Sequence, residues 1–145
     1  MSTRDTQVKR VYAWQNVIRH EFSEISEAVI PHLIKAACEY SEIQVPRLRY
    51  NVNMSSMAHY RPGEHKITLP GSAGSWSHRT DTVLHEVAHA VHRCRPDREE
   101  HETHGPEFMY IYLDLLDQFT DHEFFALVKD ARIHCIEVAD KLTTN

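Results

Sequence analysis

In the stretch "LHEVAHAVH" His85 and His89 stand four residues apart with Glu86 beside the first of them. Side chains four apart share one face of an α-helix, so both imidazoles can hold a single ion. Glu86 points about a quarter-turn away, displaced from such an ion and suited to work on a water that the ion holds. H-E-x-x-H is thus two ligands and a general base, the chemistry of a zinc-dependent hydrolase. Because the chain has 12 histidines, the bare pattern arises readily by chance, and its flanks must carry weight. They agree: Val83, Leu84, Val87, Ala88 and Val91 recur at helical spacing, giving the helix a back to pack while its front presents the histidines.

A catalytic zinc takes a third protein ligand and keeps its fourth position for water. His92, His101, Glu102, His104 and Glu107 are available. His92 shares the face of His85 but lies two turns along, too far to join the same ion, and reads as a groove-lining or partly exposed residue. His104 directly precedes Gly105-Pro106, a helix start that can return its side chain from a rigid element. His101 is its main rival, and spacing does not decide between them. Tyr60, His92, His101 and Tyr112 are candidates to stabilise an oxyanion. Asp81, Asp114 and Asp117 are candidates to orient a ligand imidazole from behind.

A single domain, 1–145, must position these groups, and it reads as α+β, mainly helical, with a small antiparallel β-hairpin or sheet before the H-E-x-x-H helix. Residues 1–42 form an N-terminal helical region, 43–75 a β-hairpin region, and 76–145 the metal-binding helices and a C-terminal helix. In the first, Val8, Val11, Tyr12, Ile18, Phe22, Ile25 and Val29 approximate a helical stripe, with a break expected near 20–31 because Pro31 does not sit deep in a helix. The opening "RDTQVKRVYAW" also admits a partly extended form. Arg61-Pro62-Gly63-Glu64 is a turn signal before an alternating strand, His65 to Leu69, and "GSAGS" at 71–75 is a connector. Ser77 or Thr80 can cap the next helix, and Asp81 suits its first turn. The polar loop "CRPDREEHETHG" is long enough to be functional. A helix follows from Pro106. A capping box of Thr120 and Glu123 then opens the last one, with a stripe of Phe124, Leu127, Val128, Ala131, Cys135 and Val138.

The 41% apolar and 26% charged residues exclude a disordered chain. No run of about 18 apolar residues is present and the first residues lack a signal's apolar core, so no membrane association and a cytoplasmic location are expected. Cys38, Cys94 and Cys135 are odd in number and far apart, which fits reduced, mostly buried thiols. A net charge of −5 disfavours nucleic-acid binding. Between Gln44 and Arg79, however, five cations face Glu64 alone, a +4 segment that reads as a solvated face.

"DTVLHEVAHAVH" followed by "HGPEF" resembles the SprT-like zincin-type metallopeptidases. "RDTQVKRVYAW" with "LHEVAHAVH" and "HGPEFMYIYLDLL" is similar, more closely, to a family of small bacterial and phage-encoded metallohydrolases. This resemblance spans the chain and is densest in its second half. It implies His85, His89 and His104 as ligands of one Zn2+ per chain and Glu86 as the catalytic base, favouring His104 over His101. It does not supply a substrate. The chain departs from DNA-directed members of the wider group in having no paired cysteines for a zinc ribbon. Arg95 stands where a metzincin would carry its third histidine.

The expected function is hydrolysis of peptide bonds through a zinc-bound water and Glu86, on a peptide or protein substrate paired along the strand His65 to Leu69. A hydrolase of non-peptide amides would use the same residues. A non-catalytic, zinc-stabilised protein-binding module would keep the metal without needing Glu86.

Overall fold

The computed structural model describes residues 5–51, 58–71 and 78–142. These described residues form a small α+β domain of five helices and a three-stranded mixed sheet: α1 (Val8–Ile18), α2 (Ile30–Ser41), β1 (Arg47–Asn51), β2 (His59–Arg61), β3 (Lys66–Pro70), α3 (Thr80–Arg93), α4 (Pro106–Phe119) and α5 (Phe124–Ile133). Short 3-10 turns occupy Arg19–Glu21 and Arg98–Glu100. Among the described residues no helix is long and apolar enough to cross a membrane.

"VKRVYAW" is helical, not extended. Its buried face is Val11, Trp14, Gln15 and Ile18, and the indole Nε1 of Trp14, fully buried, donates to Asp130 Oδ2 at 2.7 Å. That bond ties α1 to α5. Pro31 lies in the first turn of α2, where its missing N–H costs no helical bond. Ile34, Ala37 and Cys38 of α2 enter the core. Cys94 and Cys135 are exposed, so only one thiol of the three is buried.

The expected hairpin is β2–β3, antiparallel, with Tyr60 opposite Ile67. β1 adds a parallel strand on the other side, giving the order β1-β3-β2. The tight turn places His65, not Gly63, in the left-handed region at φ 46°. His65 is held there through Nδ1 to the Tyr60 hydroxyl and Nε2 to the Gln44 carbonyl, each at 2.8 Å. The strand therefore starts at Lys66 rather than His65. As the central strand, β3 buries Ile67, Thr68, Leu69 and Pro70.

α3 packs against α4, α2 and β2, and most of its surface is buried. Arg79 occupies its N-cap position without a side-chain capping bond, and Thr80 is already helical, its hydroxyl turned to Ser23 O. Thr80 thus does not cap, while Ser77, the other cap candidate, and residues 72–75 of the connector lie outside the described residues. α4 begins at Pro106 and buries Phe108, Met109, Ile111, Tyr112, Leu113, Leu115 and Leu116. Each such aliphatic or Phe side chain contributes about 1.5–3 kcal/mol relative to exposure, so α4, packed on α3, supplies much of the core.

α5 is capped by Glu123 itself, whose carboxylate accepts from the N–H groups of Phe125 and Ala126 at 3.1 and 2.9 Å. Thr120 instead bonds back to Leu116 O at the end of α4. The helix stops at Ile133, Cys135 turns outward at φ 63°, and Ile136 and Val138 reach the core from an irregular tail. A helical stripe through Cys135 is therefore absent.

Candidate metal centre

α3 supplies His85, Glu86 and His89, and the loop before α4 supplies His104. The structure brings the three histidines into one group whose ligand atoms all lie within 4.8 Å of one another. Nε2 of His85 and Nε2 of His89 are 3.0 Å apart. Nitrogens sharing a tetrahedral ion at about 2.1 Å stand roughly 3.4 Å apart, so little adjustment is needed. His104 Nε2 is buried with no hydrogen-bond partner among the described residues. A buried acceptor without a donor is costly, and a cation satisfies it. The donor set therefore fits a metal ion. His85 and His104 are buried, and His89 keeps slightly more exposure. Burial holds His85 and His89 well below the usual imidazole range, with further lowering from neighbouring histidines. Neutral rings keep lone pairs for an ion.

His101, the rival ligand, faces elsewhere. Its Nδ1 meets His92 Nε2 at 3.3 Å, and its Nε2 lies 3.4 Å from Asp97 Oδ2. Burial, and then His101, pulls His92 down to about 4, so that ring is neutral and belongs to this second pair. Being only 1% exposed, His92 lines no groove.

The groups that orient the candidate ligands come from the amino-terminal segment. Asp5 Oδ2 accepts from His104 Nδ1 at 2.8 Å, leaving Nε2 to face the other two rings. Gln15 Nε2 lies 2.8 Å from His85 Nδ1 and 2.9 Å from the Tyr112 hydroxyl, which in turn donates to Asp81 O. For His85 to ligate through Nε2, its Nδ1 must carry the proton, and the Gln15 amide must turn to offer its oxygen at the same place. The three aspartates expected behind the ligands have other partners. Asp81 is 3.7 Å from Arg79 Nε, Asp114 accepts from the Tyr40 hydroxyl, and Asp117 accepts from Phe124 N. Gln15 carried a readable signal, a polar residue at i+4 on the stripe of Val11 and Ile18. Asp5 had only the unexplained polar run "RDTQ".

Glu86 is 5% exposed and accepts the backbone N–H of Tyr60. Burial, only partly countered by that bond, pushes its carboxyl up to about 8. With His85 it borders a cavity of about 250 Å³ whose other walls include Tyr12, Asn16 and Arg19 of α1 and Asp81 and Thr82 of α3. Tyr60, His92, His101 and Tyr112 do not line it. Tyr60 gives its hydroxyl to His65, and Tyr112 is fully buried behind His85. Tyr12 does line it, with its ring stacked on His85 at 5.6 Å and 5.2 Å from His104, and its hydroxyl makes no hydrogen bond among the described residues. Burial, with Glu86 and Asp5 nearby, raises that phenol, so it stays a proton donor.

β3 has neighbours on both sides and offers no free edge to a substrate, contrary to the expectation for His65 to Leu69. Among the described residues β1 and β2 are the two edge strands, and the Tyr60 N–H of β2 meets Glu86. No protein-family model, curated protein or solved structure matches the chain.

Proposed function

We propose that the chain is a zinc-dependent metallohydrolase, a metallopeptidase of the SprT-like zincin type, with His85, His89 and His104 as ligands and Glu86 as general base. The observation that carries this reading is the convergence of three imidazoles on one point, with His85 and the buried carboxylate of Glu86 on the wall of one cavity. Imidazole donors in a four-coordinate arrangement suit zinc. Zinc held by His85, His89 and His104 would supply a Lewis acid able to polarise a carbonyl and to lower the pKa of a water. A cation beside it would favour the ionised form of Glu86, which would then take the proton of the attacking water and pass it to the leaving amine. The Tyr60 N–H holds the carboxylate in place for both transfers. The Tyr12 hydroxyl is available to donate to the carbonyl oxygen as charge develops on it. The cavity bordered by His85 and Glu86 is where a substrate carbonyl would enter.

The experiment is replacement of Glu86 by glutamine in protein carrying no affinity tag. Retained zinc with peptide hydrolysis reduced about 10²–10⁴-fold supports the reading. Hydrolysis undiminished by that substitution refutes the assigned base. Retained zinc with no turnover by the parent chain on any peptide directs attention to non-peptide amides or to a zinc-stabilised binding module.

A further inference from the structure

Beyond the bond between Asp5 and His104, the polar segment Asp5-Thr6-Gln7 takes no part in the chemistry above, yet each of its residues is hydrogen-bonded to distant parts of the chain. Asp5 accepts both the ring Nδ1 of His104 at 2.8 Å and its backbone N–H at 3.2 Å. Thr6 gives its N–H and its hydroxyl to the carboxylate of Glu102. Gln7, 2% exposed, donates to the carbonyls of His104 and Glu137 at 2.9 and 3.1 Å and accepts the N–H of Glu137 at 2.9 Å. Three consecutive residues thus grip the loop that carries His104 and fasten it to the tail after α5.

His85 and His89 need no such help, because α3 fixes them through its packing on α2 and α4. His104 sits outside any helix, one residue before Gly105. Its local support is the turn from Gly105 N to Glu102 O at 3.2 Å and ring contacts with Tyr12 and Phe108. We infer that residues 5–7 act as a clasp that completes the metal centre. With the clasp closed the site offers three imidazoles, and with it open only the pair on α3. Asp5 is then a positioning residue, and metal binding and clasp closure are reciprocally coupled. Events that detach this segment, such as cleavage after Gln7 or capture by another protein, would lower metal affinity without touching a ligand. This inference rests on the metal-binding reading of the triad.

The test is a zinc titration against a chelating dye, with full-length chain lacking an affinity tag, together with amide exchange with and without zinc. Removing an outer partner of a ligand histidine weakens metal binding about 10–100-fold. Asp5→Ala is expected to show that loss. Asp5→Asn, which keeps the shape but only one acceptor oxygen, is expected to fall between Asp5→Ala and the parent. Asp114→Asn, altered at the bond to Tyr40, is expected to bind zinc as the parent does. Zinc should slow exchange at the amides of Thr6 and Glu137, which close the clasp 131 positions apart in sequence. That measurement on the unaltered chain decides the matter even where Asp5→Ala fails to fold. Zinc bound by the parent, with affinity unchanged within twofold in both Asp5 variants or with exchange unchanged at Thr6 and Glu137, overturns the clasp alone. A parent chain that binds no zinc overturns the proposed function, and the clasp with it.

Discussion

Gly105→Ala probes how tightly the third candidate ligand is set. Gly105 has φ −81° and ψ −171°, a conformation open to any residue, so the substitution adds no backbone strain. Space is the obstacle: a Cβ built there would stand 2.8 Å from Cβ of Glu102 and 3.4 Å from its carbonyl oxygen. Carbon atoms pack at about 3.5–4.0 Å, so Glu102 must retreat by roughly 1 Å. Its carbonyl holds Gly105 N at 3.2 Å, and its carboxylate holds Thr6, so the retreat opens the turn beneath His104 and loosens the amino-terminal segment together. Forced overpacking of this kind costs about 1–3 kcal/mol. For a chain near 150 residues each kcal/mol lowers the melting temperature by roughly 4 °C, so a fall of about 4–12 °C is expected. Circular dichroism melts with and without zinc supply the assay, and the zinc-dependent part of the melting temperature should shrink as well. A variant that melts with the parent and gains as much from zinc refutes this account of the loop.

Three further outcomes follow from the same structure. In metal-free protein, burial keeps Glu86 protonated up to about 8 while the unfolded chain releases that proton near 4.5. The unfolded state is thus favoured progressively as pH rises across that window, and stability falls. Glu86→Gln should flatten this fall in urea midpoints measured from pH 5 to 8, and an identical slope in both proteins counts against a raised carboxyl. Glu123→Ala should destabilise the fold by about 1 kcal/mol through loss of the α5 cap, read as a shift in urea midpoint, whereas an N-cap role for Thr120 would give Thr120→Ala that loss instead. Leu113→Ala, at a fully buried position of α4, should cost about 2–5 kcal/mol, and a cost below 1 kcal/mol would show that α4 is not tightly packed into the core.

The helices were legible because apolar residues at helical spacing report burial directly. The α3 pattern around His85 and the Gly105-Pro106 start of α4 emerge as expected. What the sequence concealed depends on long-range geometry. A turn signal at Arg61-Pro62-Gly63-Glu64 announces β2–β3, but no local feature announces that β1 runs parallel to β3 and takes the side opposite β2. That single addition moves β3 from edge to centre and leaves β1 and β2 as the edges. Asp5 escaped notice for a similar reason. Its partner His104 lies 99 positions away, and a lone carboxylate in a polar run carries no periodicity. Asp81, Asp114 and Asp117 drew attention by standing on the right helices, yet each is taken by a nearer partner. Glu123 and Thr120 both suit a cap, and the choice turned on where α4 ends.

The central claim is that three imidazoles converge on one ion that keeps a position for solvent. X-ray absorption at the zinc edge, on tag-free protein loaded with one equivalent of zinc, tests it most directly. The account predicts three imidazole nitrogens and one non-protein oxygen at about 2.0–2.1 Å. Thiolate sulfur in the shell, a fourth protein ligand, or zinc removed by simple gel filtration would contradict it.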